Sequence, residues 1–134
     1  MKIGTVILFF GLPLVSSMFG RPSGPDCRAT GITAKCHNVN FSSSRIEKAM
    51  KKAMKVYKLP RGLWEQNELS YIGYHPENGH EICYPLTMTR NEITESGGIQ
   101  AFVYLNQVCR FSTVMQMFSD GQFTTHNDCE IIRK

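Results

Sequence analysis

The sequence predicts one α+β domain, in which a single α-helix packs on a twisted antiparallel β-sheet. Two patterns lead to this fold class: helical spacing of apolar residues is confined to one segment, and short strand-like runs separated by turn residues follow it. The five cysteines in 134 residues are a third observation, because a domain of this size gains stability from disulfides. No repeat or second domain is evident.

The predicted helix begins near Phe41. Ser44 and Glu47 have the spacing of a capping box, in which the serine accepts an N–H at the helix start and the glutamate reaches back. Pro60 and Gly62 are expected to end the helix. One side is apolar and is expected to be buried, namely Ile46, Ala49, Met50, Ala53, Met54 and Tyr57.

Five runs after Gly62 predict four or five antiparallel strands: residues 69–74, 81–88, 99–108, 110–118 and 123–129. Pro85 has no N–H to donate, so it is expected at a bulge or a strand end. Residues 21–34 are predicted to be an irregular lead-in. Core positions are predicted for Trp64, Met50, Met54, Met115 and Met117.

Residues 1–20 are predicted to be a secretory signal peptide that is removed, leaving residues 21–134 as the domain. Lys2 supplies a positive start, residues 3–15 are almost wholly apolar, and Ser16, Ser17 and Gly20 are small exit residues. A buried N-terminal helix is the alternative. Loss of Lys2 lowers the formal net charge of +4 by one, so the mature chain is only mildly basic. That charge permits contact with RNA or an acidic surface without arguing for either.

All five cysteines follow this segment, and in a secreted chain they are interpreted first as disulfide partners. An odd number suggests two bridges and one spare thiol. Cys27, Cys36 and His37 could be metal ligands, but disulfide bonding is the preferred interpretation. The sequence therefore predicts no metal site and no cofactor.

An ordered set of motifs spans the chain from Cys36 to Cys129. Phe-Ser-Ser-Ser at 41–44 opens the helix, Ser-Gly-Gly at 96–98 precedes a strand at 101–106, and residues 109–117, Asp120-Gly121 and Phe123 follow. Together they resemble the fungal guanyl-specific ribonucleases. Within that fold family, the small secreted chain most resembles the ribonuclease-like effectors of powdery mildew fungi. The resemblance implies a ribonuclease-like fold for residues 21–134.

The same resemblance implies that the reaction has been lost. Ribonucleases of this family use a carboxylate as base, a histidine as acid and an arginine that holds the phosphate. The corresponding positions here are Cys83, Ala101 and Met117, or Gln100 and Gln116 after a one-residue slip of the last two. A thiol, a methyl and a thioether cannot replace those groups, so we expect no catalytic residues and no enzyme activity.

By resemblance, Cys36 pairs with Cys129 and joins the two ends of the domain. Closing a loop of about ninety residues contributes roughly 4 kcal/mol in the chain-entropy model. The second bridge is expected to join Cys109 to Cys27 or to Cys83, and the sequence does not choose between them. Asn40 lies in an acceptor sequon for N-glycosylation.

We therefore expect a secreted, catalytically inactive effector that is delivered to a host cell and promotes infection by binding a host protein. RNA is a second candidate ligand, and a basic stripe on the helix would contact either one, namely Lys48, Lys51, Lys52 and Lys55. The protein is expected to be a monomer that does not contact membranes once its signal is removed.

Three alternatives stay open. An active ribonuclease could use relocated catalytic groups, namely His75, Glu77 or His80. These three residues and Glu81 form a cluster that could be an acid–base or metal site, although the plainer interpretation of the cluster is an exposed polar turn. A non-catalytic RNA-binding module would depend on the basic stripe. The third alternative is a small secreted structural or defence protein unrelated to ribonucleases.

Overall fold

A computed structural model describes residues 27–119 and 124–134, which form eight strands and two α-helices. In chain order these are β1 (Ile32–Cys36), β2 (Val39–Phe41), α1 (Ser43–Tyr57), β3 (Ser70–His75), β4 (Gly79–Pro85), α2 (Arg90–Glu95), β5 (Gln100–Asn106), β6 (Phe111–Ser119), β7 (Thr124–Asp128) and β8 (Glu130–Arg133). Two short 3₁₀ helices, Arg61–Leu63 and Glu65–Asn67, lie between α1 and β3.

The strands form two antiparallel sheets. A three-stranded sheet has the order β2-β1-β8, and a curled five-stranded sheet has the order β3-β4-β5-β6-β7. The predicted fold class, one helix on a single ribonuclease-like sheet, is therefore wrong, although the structure is broadly α+β. Local pattern does not reveal the smaller sheet, because β1 has five residues, β2 has three, and β8 joins β1 from the far end of the chain.

The five predicted strand runs coincide with β3 to β7, with shifted ends. Pro85 is the last residue of β4, so residues 86–88, predicted as strand, are a loop. The predicted signal peptide at residues 1–20 and the predicted turn at Asp120-Gly121, with Phe123, lie outside the described residues.

The start of α1 is capped differently from the prediction. Ser42 is the N-cap, and its side chain accepts a hydrogen bond from the N–H of Arg45. The predicted capping box is wrong because the carboxylate of Glu47 accepts the N–H of Ala29 at 2.8 Å. The apolar stripe that was predicted is buried from Ile46 to Met54 and packs against β4 and β5 of the five-stranded sheet.

The second helix, α2, was not predicted. Its start has a complete capping box, in which Thr89 and Glu92 exchange side-chain and backbone hydrogen bonds. The helix ends at Glu95 with Ser96 as its C-cap, and Gly97 and Gly98 follow with left-handed φ angles of 73° and 86°, which favour glycine. The Ser-Gly-Gly break seen in the sequence is thus the end of a helix.

Two disulfides tie the first described residues to the last third of the chain. Cys36 is bonded to Cys129, as the resemblance implied, and Cys27 is bonded to Cys109, which is one of the two pairings left open. Cys83 is a free, buried thiol. Two bridges of this kind fit an extracellular protein, because disulfides persist in oxidising compartments.

Candidate functional site

The five-stranded sheet has one face on the core and one face that forms a cleft. Ile82, Val103, Leu105 and Val114 are fully buried on the side of α1. Because successive side chains of a strand point to opposite faces, their neighbours lie on the other face. That face contains a cavity of about 180 Å³, and its lining includes Cys83, Phe102, Tyr104, Met115, Met117 and His126.

Cys83 lies in the wall of this cavity on β4. Its thiol interacts with the side chains of Ser70 on β3 and Tyr104 on β5, which are the two residues opposite it in the sheet register. Burial raises the pKa of the Cys83 thiol above its ordinary value, with a smaller contribution from the carboxylate of Glu81. The thiol is therefore protonated at neutral pH and is a poor nucleophile.

Tyr104 also holds its proton tightly. Burial, followed by the neighbouring Cys83 and the carboxylates of Glu81 and Asp128, raises the pKa of the Tyr104 hydroxyl to about 12. A phenol with this pKa donates a hydrogen bond at neutral pH but does not act as a base. The two titratable groups at the centre of the sheet face are therefore neutral.

The three positions that the resemblance aligns with catalytic groups do not converge. Cys83 and Met117 line the cavity, whereas Ala101 is 1% exposed and lies on the opposite, core-facing side of β5. The alternative Gln100 is also turned elsewhere, since its amide nitrogen donates to the carbonyls of Leu86 and Ala101. The residue of β5 that reaches the cavity beside Met117 is Phe102.

The second slip position, Gln116, borders the same cavity. Within residues 27–119 and 124–134, its side-chain oxygen Oε1 is buried and has no hydrogen-bond partner. Met115 and Met117, predicted as core, are half-buried on the cleft face rather than against α1.

The polar cluster of the β3–β4 hairpin divides between two faces of the sheet. His75 Nε2 lies 3.3 Å from Glu81 Oε1, and alternation along β4 puts Glu81 on the same face as Cys83. His80 is turned the other way, and its Nδ1 lies 2.8 Å from the hydroxyl of Tyr71. Glu77 lies exposed in the turn between the strands. The structure thus brings His75 and Glu81 together and separates His80 from them.

His80 belongs to a surface that we call the aromatic patch, which consists of four ring side chains and one guanidinium: Trp64, Tyr71, Tyr74, His80 and Arg61. The guanidinium carbon of Arg61 lies 4.4 Å from the ring centre of Tyr71 and 5.3 Å from that of Trp64. The ring centre of His80 lies 5.2 Å from that of Tyr74, which is 63% exposed. Because the patch includes an edge strand, its backbone is also accessible on one side.

The predicted basic stripe is exposed on α1 at all four of its lysines. Lys48 and Lys52 line a groove of about 240 Å³ together with Arg45, Thr87 and Thr89. The guanidinium of Arg45 is already occupied by the carboxylate of Glu92, so the lysines are the cations that the groove offers to a ligand. Asn40, the residue of the sequon, is exposed on β2.

Sequence reasoning missed Phe102, Tyr104 and His126 of the cavity and Arg61 of the aromatic patch. The alternation of β5 would have identified the first two, since Phe102 and Tyr104 interleave with the apolar Val103 and Leu105. No local pattern identifies His126, which reaches the cavity through the pairing of β7 with β6.

Comparison of the chain with family models, with curated proteins and with solved structures finds no match. No α-helix among the described residues is long and apolar enough to cross a membrane. Within the same residues, no three His, Cys, Asp or Glu side chains are grouped so that they could hold a metal ion.

Proposed function

We propose that this chain is a secreted, non-catalytic binding protein that acts on a host protein, as its resemblance to the powdery mildew effectors implies. One observation carries the non-catalytic part. Most of the described side chains that line the cleft cavity are aromatic or contain sulfur, and the others are Ser70, Ile72, Gln116 and His126. This lining includes no carboxylate, lysine or arginine. RNA cleavage by an acid, a base and a phosphate clamp has no complete set of groups there.

The aromatic patch supports the binding part of the proposal. Tyrosine, tryptophan and arginine are the residues that most often dominate the energy of protein–protein interfaces. Here Tyr71 and Tyr74 are 37% and 63% exposed on an edge strand, and Arg61 stacks on Tyr71. The host target is therefore expected to bind across β3.

An affinity experiment with the mature protein tests this surface. The wild-type chain and the double variant Tyr71→Ser/Tyr74→Ser are immobilised and exposed to host extract. The control is Ile132→Ser, which removes a side chain that is 39% exposed on the smaller sheet. We expect the same host protein to be retained by the wild type and the control and lost from the double variant. Equal retention by all three contradicts the assignment of the aromatic patch.

One contact favours a second candidate, an active ribonuclease with relocated catalytic groups. His75 and Glu81 lie 3.3 Å apart on the cleft face, and an imidazole with a carboxylate is a chemically competent acid–base pair. No Lys or Arg side chain among the described residues lines the neighbouring cavity, which weakens this candidate.

An RNA-cleavage assay on the refolded mature chain separates the two functions. The binding-protein proposal predicts no cleavage above that of the buffer. The relocated-site alternative predicts cleavage that disappears in His75→Ala and persists in His80→Ala, because His80 contacts Tyr71 on the other face. A third outcome is that RNA is bound but not cleaved, and that the binding is salt-sensitive and requires Lys48 and Lys52. That outcome identifies the groove lined by these lysines as an RNA-binding site.

A further inference from the structure

In the half of the cleft formed by β6 and β7, two methionines and one histidine lie close together, and their side chains are of types that bind soft or borderline metal ions. Met117 is directly opposite His126 in the register of these strands, and Met115 is two residues along β6 on the same face. All three side chains line the same cavity of about 180 Å³. The side chains of Met115 and Met117 do not pack against α1, so packing on the helix does not explain why methionine occupies these two positions.

The backbone geometry permits the three groups to reach one point. Opposite residues of an antiparallel pair have Cβ atoms about 5 Å apart, and same-face neighbours along a strand are separated by about 7 Å. Methionine has three rotatable bonds between Cα and its methyl group, so both sulfurs can turn towards the imidazole. The side chain of His126 is exposed at the rim of the cavity, where a ligand from solvent can reach it.

We propose that Met115, Met117 and His126 form a binding site for a cuprous ion. Thioether sulfur is a soft ligand that selects Cu(I), and imidazole binds copper readily. Ions that prefer oxygen, such as Mg²⁺ and Ca²⁺, are not favoured, because no carboxylate lines the cavity among the described residues. Asp128 is opposite Met115 in the register and adds negative charge beside the site.

Cys83 is not part of the proposed ligand set. It lies on β4, two strands away from β6, and its thiol is engaged by Ser70 and Tyr104. Burial also raises the pKa of this thiol, which disfavours the thiolate that copper binds. The variant Cys83→Ser therefore removes the one free thiol of the chain and leaves the proposed site intact.

The test is an anaerobic titration of the mature Cys83→Ser protein with Cu(I), in competition with a chromophoric Cu(I) chelator. We expect one Cu(I) per chain. In the same background, Met117→Leu and His126→Ala are expected to weaken the affinity by about 100-fold, since loss of even an outer-shell partner costs about 10- to 100-fold. Met54→Leu, which changes a buried methionine of α1, is the control and is expected to bind as the parent does. Absence of binding by the Cys83→Ser protein, or unchanged affinity in both site variants, overturns the proposal.

A second measurement does not depend on variants that could fail to fold. Ag(I) is a redox-stable substitute for Cu(I), and methionine methyl groups can be labelled with ¹³C in the Cys83→Ser protein. On addition of Ag(I), the methyl resonances of Met115 and Met117 are expected to shift, while those of Met50 and Met54 in α1 stay in place. Shifts confined to the helix methionines, or no shift at all, contradict the site.

Discussion

The guanidinium of Arg45 holds the carboxylate of Glu92 through two hydrogen bonds of 2.8 Å each, which joins the start of α1 to α2. The same guanidinium donates to the carbonyl of Thr87 at 2.6 Å and lies over the ring of Phe41. The loop after β4 is therefore fastened to α1 by one side chain. Paired, planar hydrogen bonds of this kind are stronger than an ordinary surface ion pair.

This pair makes the stability of the fold depend on pH. The hydrogen bonds from Arg45 lower the pKa of Glu92 from 4.5 to about 2. A carboxyl group whose pKa is lower in the folded state stabilises the fold above its unfolded pKa, and that contribution is lost as the pH falls through the folded value. Replacement Glu92→Gln is expected to lower the free energy of unfolding by about 1 kcal/mol at neutral pH. Urea unfolding of both proteins should show this difference shrinking between pH 4.5 and about pH 2.

The control is Glu95→Gln, an exposed carboxylate at the end of the same helix. It is expected to change the free energy of unfolding by less than about 0.5 kcal/mol at either pH. If Glu92→Gln lowers the free energy of unfolding by the same amount at low and at neutral pH, the charge of Glu92 does not hold the loop in place.

Buried Asn106 organises two turns at one end of the five-stranded sheet. Its Oδ1 accepts the N–H groups of Val108 and Arg110, and its Nδ2 donates to the carbonyl of Asn78 at 2.9 Å. Because Asn106 is only 6% exposed, Asn106→Ala leaves backbone groups without partners and is expected to cost about 2 kcal/mol or more. Thermal and urea unfolding measure the loss. Asn127→Ala, on the exposed side of β7, is the matched control, and an equal effect of the two changes would refute the role given to Asn106.

Much of the fold could be predicted where the signal is local. The stripe from Ile46 to Met54 has helical period, and it is the buried face of α1. The runs that correspond to β3 to β7 were found because turn residues separate them. The smaller sheet could not be found in this way, because the partner of β1 lies almost a hundred residues later, in β8.

The residues of the candidate site could not be predicted without the register of the strands, and local sequence pattern does not specify that register. A shift of one residue moves every side chain of a strand to the other face, so aligning Ala101 rather than Phe102 with the cleft put a core residue in the predicted site. The same lack of register concealed the pairing of Met117 with His126, since the two residues belong to strands whose partners are set by tertiary contacts.

The free thiol gives a direct check of the bridge pattern and of the cleft. In denaturant, without reductant, one thiol per chain is expected to react with a chromogenic disulfide, because four cysteines are bonded. In the folded protein the reaction is expected to be at least about tenfold slower, since Cys83 is buried and its raised pKa reduces the thiolate fraction. A chain with Cys83→Ser should show no reaction in either state. Fast reaction of the folded chain would mean that the thiol is exposed.

The unpartnered oxygen of Gln116 predicts a variant that is more stable than the parent. Gln116 Oε1 is buried without a hydrogen-bond partner among the described residues, and methionine has a similar length without a polar group to desolvate. Gln116→Met is therefore expected to raise the free energy of unfolding by about 1 kcal/mol. Gln107→Met is the contrasting variant, because Gln107 Oε1 accepts the N–H of His80, and its loss is expected to destabilise. Urea unfolding of the parent and the two variants measures whether each substitution raises or lowers the free energy of unfolding. A loss of stability in Gln116→Met would show that this side chain has a polar partner in solution.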